Sequence, residues 1–168
     1  MAPVASSGTA KVTLPSDTEI LITREFDAPR RHVYKAWTTP ELVKRWWAGK
    51  RGQMTVAEID LRPGGRWRYA MTANQGFEVA FHGEFREIVP EERIVNTEIF
   101  EMPDAGDSEP ALNVVTFTET GGRTTLELLA KCPSREIRDA IIDSGMEGGM
   151  QEGYDLLELV AIEEAGRA

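Results

Sequence analysis

Asn96 and Glu98 are the residues best placed by type and spacing to do chemistry in this chain. They share one parity with Ile94 and Phe100, while Val95, Thr97 and Ile99 occupy the other. Successive strand side chains alternate between faces, and both faces here are partly apolar, so parity leaves open which one looks inward. A carboxylate turned into an apolar interior holds its proton more tightly, and could act as an acid or anchor a ligand. His82 and Glu84 form a second pair on one side of a neighbouring run. Alternation puts Val79, Phe81 and Phe85 on the opposite side, so if those residues face the core, His82, Glu84 and Arg86 face solvent.

Other chemistries find little support. The only histidines are His32 and His82, and Cys132 is the only cysteine, so no zinc-ligand spacing exists. The acidic stretch from Asp104 to Glu109 lacks the pattern of a calcium loop. We expect no metal and no cofactor. No Gly-x-Ser-x-Gly elbow is present. Cys132, followed by Pro133, reads as a small half-buried hydrophobe rather than a nucleophile. Gly64-Gly65 and Gly121-Gly122 read as hairpin turns, and Gly148-Gly149 falls in a helical pattern, so no phosphate loop is expected. The aromatic and methionine set is richer: Trp47, Trp67, Tyr69, Phe81, Phe85 and Tyr154, with Met71, Met146 and Met150. These residues could pack as core, or they could wall a pocket for a small molecule.

The elements that must position them alternate in type. Residues 1–17 read as a flexible arm, rich in small and polar residues. Glu19 to Phe26 is β-rich and predicts a strand. Asp27-Ala-Pro29 starts one short helix, and Thr39-Pro40-Glu41 starts a second carrying Trp46 and Trp47, closed by Gly49. Strands are then expected over Met54–Leu61, Arg66–Thr72, Val79–Val89, Ile94–Phe100, Leu112–Thr118 and Thr124–Ala130. Pro133-Ser134 opens a helical C-terminus that Ser144-Gly145 bends or breaks. Its last part aligns Met146, Met150, Tyr154, Leu157 and Ala161, and Leu156, Leu159, Val160 and Ile162 widen the apolar face. The order predicts an α+β domain over 18–165. Its antiparallel sheet needs a cover, and the terminal helix is the only element long enough to supply one.

Composition bounds the rest. A chain of 168 residues with 41% hydrophobic and 28% charged residues suits one globular domain. No apolar run reaches the roughly 20 residues that cross a bilayer, and Met1 to Gly8 lacks the pattern of a secretory signal. A single cysteine fits a reducing, cytoplasmic setting. The net charge of −9 argues against nucleic-acid binding. Residues 24–68 nevertheless hold 11 basic and 5 acidic residues. Arg30, Arg31, Lys35, Lys44, Arg45, Lys50 and Arg51 could dock an acidic partner protein, or pair with the acidic remainder.

Several motifs occur together in order. They are Arg24-Glu-Phe-Asp-Ala-Pro29, Val33-Tyr-Lys-Ala-Trp37, Thr39-Pro-Glu41 and Lys44-Arg-Trp-Trp47, then Asp60-Leu-Arg-Pro-Gly-Gly-Arg-Trp67 and Phe81-His-Gly83. Arg86-Glu-Ile-Val-Pro90, Glu92-Arg-Ile-Val95 and Gly145-Met146 continue the series. Over residues 18–162 the chain resembles bacterial relatives of the C-terminal domain of the heat-shock protein 90 ATPase activator. Those proteins belong to the SRPBCC superfamily, with START and Bet v 1-like domains. The resemblance implies a helix-grip fold, in which a curved antiparallel sheet wraps a long C-terminal helix and two short helices follow the first strand. One departure stands out: Met150 occupies the place where the family is expected to carry Trp, with glycines at 148, 149 and 153. These glycines could let the helix approach the sheet or widen a pocket, or they could fray the helix start.

The reading that follows is a small hydrophobic or amphipathic ligand held between sheet and helix, by Trp47, Trp67, Tyr69, Met71, Phe81, Phe85, Asn96, Glu98, Met150 and Tyr154, with His82 a further polar candidate. The superfamily also implies two alternatives, a chaperone-accessory interaction module and a hydrolase or cyclase using the same cavity. An enzyme is the less expected outcome. Edge strands need protection, which makes a homodimer a plausible arrangement.

Overall fold

The structure, a computed structural model, describes residues 10–101 and 109–166. The acidic stretch over 102–108 and residues 1–9 lie outside the described residues. Eight strands form one antiparallel sheet in the order β1-β2-β8-β7-β6-β5-β4-β3. They are β1 (Lys11–Thr13), β2 (Glu19–Phe26), β3 (Gly52–Ile59), β4 (Arg66–Ala73), β5 (Glu78–Val89), β6 (Arg93–Phe100), β7 (Ala111–Thr120) and β8 (Arg123–Lys131). Two short helices, α1 (Arg30–Thr38) and α2 (Pro40–Trp46), follow β2, and α3 (Arg135–Asp143) and α4 (Met146–Gly166) follow β8. This is the α+β helix-grip architecture expected, with α4 covering the apolar face of the sheet.

Local chemistry sets the helix ends. Pro29, extended at φ −61° and ψ 149°, precedes α1, and Pro40 occupies the first turn of α2, where a missing N–H costs nothing. Ser134 caps α3 by accepting from the Ile137 N–H at 3.2 Å. Gly145, at φ +83°, separates α3 from α4. The Trp46 indole N–H donates to the Ala36 carbonyl at 2.9 Å, and the Trp37 and Trp46 rings stack 5.3 Å apart, which fixes α2 on α1.

Two expectations need correction. The segment before residue 18 is not wholly a loose arm: Lys11, Val12 and Thr13 pair with Thr23, Ile22 and Leu21. The Gln151 amide grips Ala10 at both backbone groups, accepting from its N–H at 2.9 Å and donating to its carbonyl at 2.8 Å. Three residues are too short a run to show a strand period, so the sequence carried no signal for β1. On α4, Leu159 and Ile162 do not widen the buried face; they are 62% and 43% exposed. Glu158 and Glu164 are buried instead, because they face Arg24 and Lys35, so the buried arc is turned toward the charge-bearing elements.

Much of the positive charge noted in the sequence is taken up by α4. Lys35 meets Glu164 at 2.8 Å, Arg51 meets Glu152 at 3.5 Å, and Arg45 pairs with Glu163. Deeper in, Arg24 lies on the inward parity of β2 with Ile20, Ile22 and Phe26. Its guanidinium reaches Glu158 at 3.1 Å and Asp155 at 3.4 Å and lies 4.7 Å from the Phe26 ring centre. Glu158 also accepts from the Asp27 N–H at 2.8 Å, tying the entrance of α1 to the same point.

Candidate ligand-binding cavity

Between the sheet and α4 lies a cavity of about 440 Å³, within the range of small-molecule sites. All ten residues nominated from the sequence line it. Trp67, Tyr69 and Met71 come from alternate positions of β4, Phe81 and Phe85 from β5, and Asn96 and Glu98 from β6. Trp47 follows α2, and Met150 and Tyr154 descend from α4. The aromatic wall is mutually packed. Trp47 stands edge-on to Tyr69 at 5.5 Å and to Phe81 at 5.4 Å, and Trp67 lies 4.9 Å from Tyr69. Exposed Arg51, Ser144 and Gly145 mark the opening, at the junction of α3 and α4.

The question parity left open on β6 is resolved by what its neighbours do. Ile94, Asn96 and Glu98 line the cavity. Phe100, on the same parity, lies beyond it and is 45% exposed against Phe81. The register between β5 and β6 runs through Phe81↔Phe100 and His82↔Ile99, resumes at Phe85↔Asn96 and shifts before Glu87↔Val95. Over the intervening residues, side chains supply the bonds. Glu84 N–H donates to Thr97 Oγ1 at 2.9 Å, while the Thr97 carbonyl accepts from Trp67 Nε1 and from Asn96 Nδ2, each at 3.1 Å. Gly83 makes this possible: a Cβ there would stand 1.8 Å from the Thr97 oxygen and 2.7 Å from Trp67 Nε1.

Glu98 is therefore a carboxyl group in a cavity lined mostly by apolar and aromatic side chains. Its Oε1 accepts from Asn113 Nδ2 at 2.9 Å, across the β6–β7 pair. Burial pushes its pKa above the usual carboxylate range, and the Asn113 bond offsets this only in part. Burial and the nearby Glu98 push the Tyr69 and Tyr154 phenols and the Cys132 thiol up as well. Sequence reasoning missed Asn113 and Cys132 as cavity residues; Asn113 had a signal, standing opposite Asn96 in a hairpin of matched length.

His82 points the other way. It is 2.9 Å from Glu101, which also takes a two-point bond from Arg68 at 2.9 and 3.0 Å. Those bonds hold the Glu101 carboxyl below its ordinary pKa, Arg68 contributing most. His82 thus belongs to an outer-face charge cluster, and does not orient anything in the cavity. Among the described residues, no group of three or more His, Cys, Asp or Glu side chains could hold a metal, and no helix is long and apolar enough to cross a membrane.

The glycines of α4 open the helix to its neighbours. Gly153 sits where a Cβ would lie 3.0 Å from the Trp46 carbonyl, and Gly148 and Gly149 lie under the Arg51 side chain. Both Gly149 and Gly153 line the cavity, and α4 is helical from Met146 onward. Close approach to α2, and room beside the cavity, account for them better than fraying.

A family model described as "Activator of Hsp90 ATPase homolog 1-like protein" matches residues 27–161. Among solved structures, the chain is similar to Ms6760 from Mycobacterium smegmatis, with 27% identity and a TM-score of 0.81 over 90% of this chain and 96% of that one. CV1439 from Chromobacterium violaceum is 28% identical, with a TM-score of 0.73 over 87% of this chain and 99% of that one. A protein from Rhodobacter sphaeroides shares the fold at 23% identity and a TM-score of 0.82, over 92% and 98% of the two chains. No curated protein matches the chain.

Proposed function

Because the chain belongs to the activator of Hsp90 ATPase homolog 1-like family, a helix-grip family, we propose that it binds a small, largely apolar molecule in the cavity between sheet and α4. The observation that carries this reading is the cavity of about 440 Å³. An aromatic wall offers apolar contact, and Glu98, Asn96 and Asn113 offer a few fixed polar points, the usual composition of a small-molecule site. Trp47, Trp67, Tyr69, Met71, Phe81, Phe85, Met150 and Tyr154 are the proposed apolar contacts. Docking of a protein partner through the basic helices is the weaker reading. Of the seven cations noted there, Lys35, Arg45 and Arg51 already pair with α4.

Native mass spectrometry of the purified protein, followed by denaturation and analysis of what is released, tests the reading. A stoichiometric small-molecule adduct, or one-to-one uptake of the neutral dye N-phenyl-1-naphthylamine by adduct-free protein, is the expected result. An adduct-free protein that takes up no dye would overturn it.

A further inference from the structure

The polar atoms of the cavity are unevenly spent. Asn113 uses an amide N–H on Glu98 Oε1, and Asn96 uses one on the Thr97 carbonyl. Glu98 Oε2 and the two amide oxygens accept no hydrogen bond among the described residues. On β6 and β7, then, the site offers a guest three unused acceptor oxygens, one of them on a carboxyl group. No cation answers that carboxyl from within: Arg51 is the only basic residue of the lining, and it stands at the opening, 3.5 Å from Glu152. The remaining ionisable residues of the lining, Tyr69, Tyr154 and Cys132, hold their protons. The rings of Trp67, Tyr69 and Trp47, whose faces attract cations, line the same cavity. The net charge of −9 raises the local concentration of cations over anions.

Resting on the ligand-binding reading above, we propose that the cavity selects an organic amine: a protonated aliphatic nitrogen on an aromatic or similarly apolar body, its N–H groups directed at Glu98 and the Asn96 and Asn113 oxygens. The ammonium brings N–H donors to these oxygens and a positive charge to a carboxyl that no cation of the lining answers. A carboxylic acid of the same shape is refused, because it would set two carboxyl groups together in a buried space. An alcohol of the same shape fits the walls but brings one donor and no charge. The ammonium also favours the ionised form of Glu98, opposing the burial that pushes this carboxyl above its ordinary pKa.

Three probes of one body separate the terms: 2-(2-naphthyl)ethylamine, 2-(2-naphthyl)ethanol and 2-naphthylacetate, each titrated calorimetrically into the full chain near neutral pH. We expect the amine to bind about tenfold or more tighter than the alcohol, as a charge-assisted bond implies, and the acid to bind least. Glu98→Gln should bring the amine down to the level of the alcohol, while retained uptake of N-phenyl-1-naphthylamine verifies that the variant keeps its cavity. An alcohol that binds as tightly as the amine, or an amine indifferent to Glu98→Gln, would overturn the proposal and leave the ligand-binding reading standing. Failure of all three probes, with no dye uptake, would overturn both.

Discussion

The Arg24 guanidinium and the Glu158 carboxylate meet at 3.1 Å in the interior, 134 residues apart in the chain. Desolvation pulls the arginine below its ordinary pKa, and Glu158 and Asp155 oppose that pull. Its Nε is buried with no hydrogen-bond partner, so the group depends on these two carboxylates and the Phe26 face. Removing one member leaves the other uncompensated away from water.

Arg24→Met should accordingly cost about 3–5 kcal/mol of stability, the range for breaking a buried pair. Urea unfolding followed by tryptophan fluorescence measures it. The double variant Arg24→Met, Glu158→Leu should recover a large part of that loss. A single variant within 1 kcal/mol of the parent, on the order of a surface pair, would show that the pair does not anchor α4.

Glu98 predicts a pH dependence of the opposite sign from that of a salt-bridged acid. Its folded pKa is raised, so between the unfolded value of about 4.3 and that higher value the folded state holds more protons than the unfolded one. Its contribution to stability therefore falls as pH rises through this window, and the full cost is present above the folded pKa. Glu98→Gln should be more stable than the parent at pH 8 and lose that advantage as pH approaches 4. Urea midpoints across this range decide it, and an advantage that grows toward acid would refute the assignment.

The two cavity-lining glycines of α4 should respond differently to alanine. At Gly149 a Cβ meets only the Arg51 side chain, at 3.6 Å, so Gly149→Ala should gain about 0.5–1 kcal/mol from the lower entropy of the unfolded chain. At Gly153 the neighbour is the Trp46 backbone carbonyl at 3.0 Å, which cannot retreat without moving α2. Gly153→Ala should gain nothing or destabilise. Thermal unfolding of both variants, side by side, tests the contrast.

Met150→Trp should fill the cavity from the helix side. Uptake of N-phenyl-1-naphthylamine should fall at least tenfold, with the far-ultraviolet spectrum unchanged. Undiminished uptake would place the dye elsewhere on the protein.

The parts of this fold that were legible in the sequence are those where one physical signal dominated. Trp67, Tyr69 and Met71 alternate cleanly with charged or small residues, so the cavity face of β4 could be read directly. Pro29 and Pro40 announced α1 and α2. β6 was ambiguous because both of its faces are buried, Val95 and Thr97 on one and Ile94 and Asn96 on the other. Only its pairing with the bulged β5 distinguishes the two faces. Arg24 had a signal that charge obscured: it shares parity with Ile20, Ile22 and Phe26, and the carboxylates that make this tolerable lie far along the chain. Leu159 and Ile162 misled because α4 is apolar around much of its circumference; the buried arc holds Tyr154, Leu157, Val160 and Ala161 together with Glu158 and Glu164, which meet Arg24 and Lys35.

The ties that seat α4 carry a consequence for how the molecule is made. Ala10, Arg24, Lys35 and Arg45 find their partners at Gln151, Glu158, Glu164 and Glu163, so elements from the first third of the chain wait for a helix that leaves the ribosome after every strand. Until then the apolar side of the sheet has no cover, and β2 must also wait for β8, whose Lys131 pairs with Glu19. A nascent chain halted at residue 145 should remain protease-sensitive, and one extended through residue 166 and clear of the exit tunnel should become resistant in a single step. Assembly of this domain in that sense waits on its last helix, with the sheet exposed to chaperones and to self-association until α4 is available.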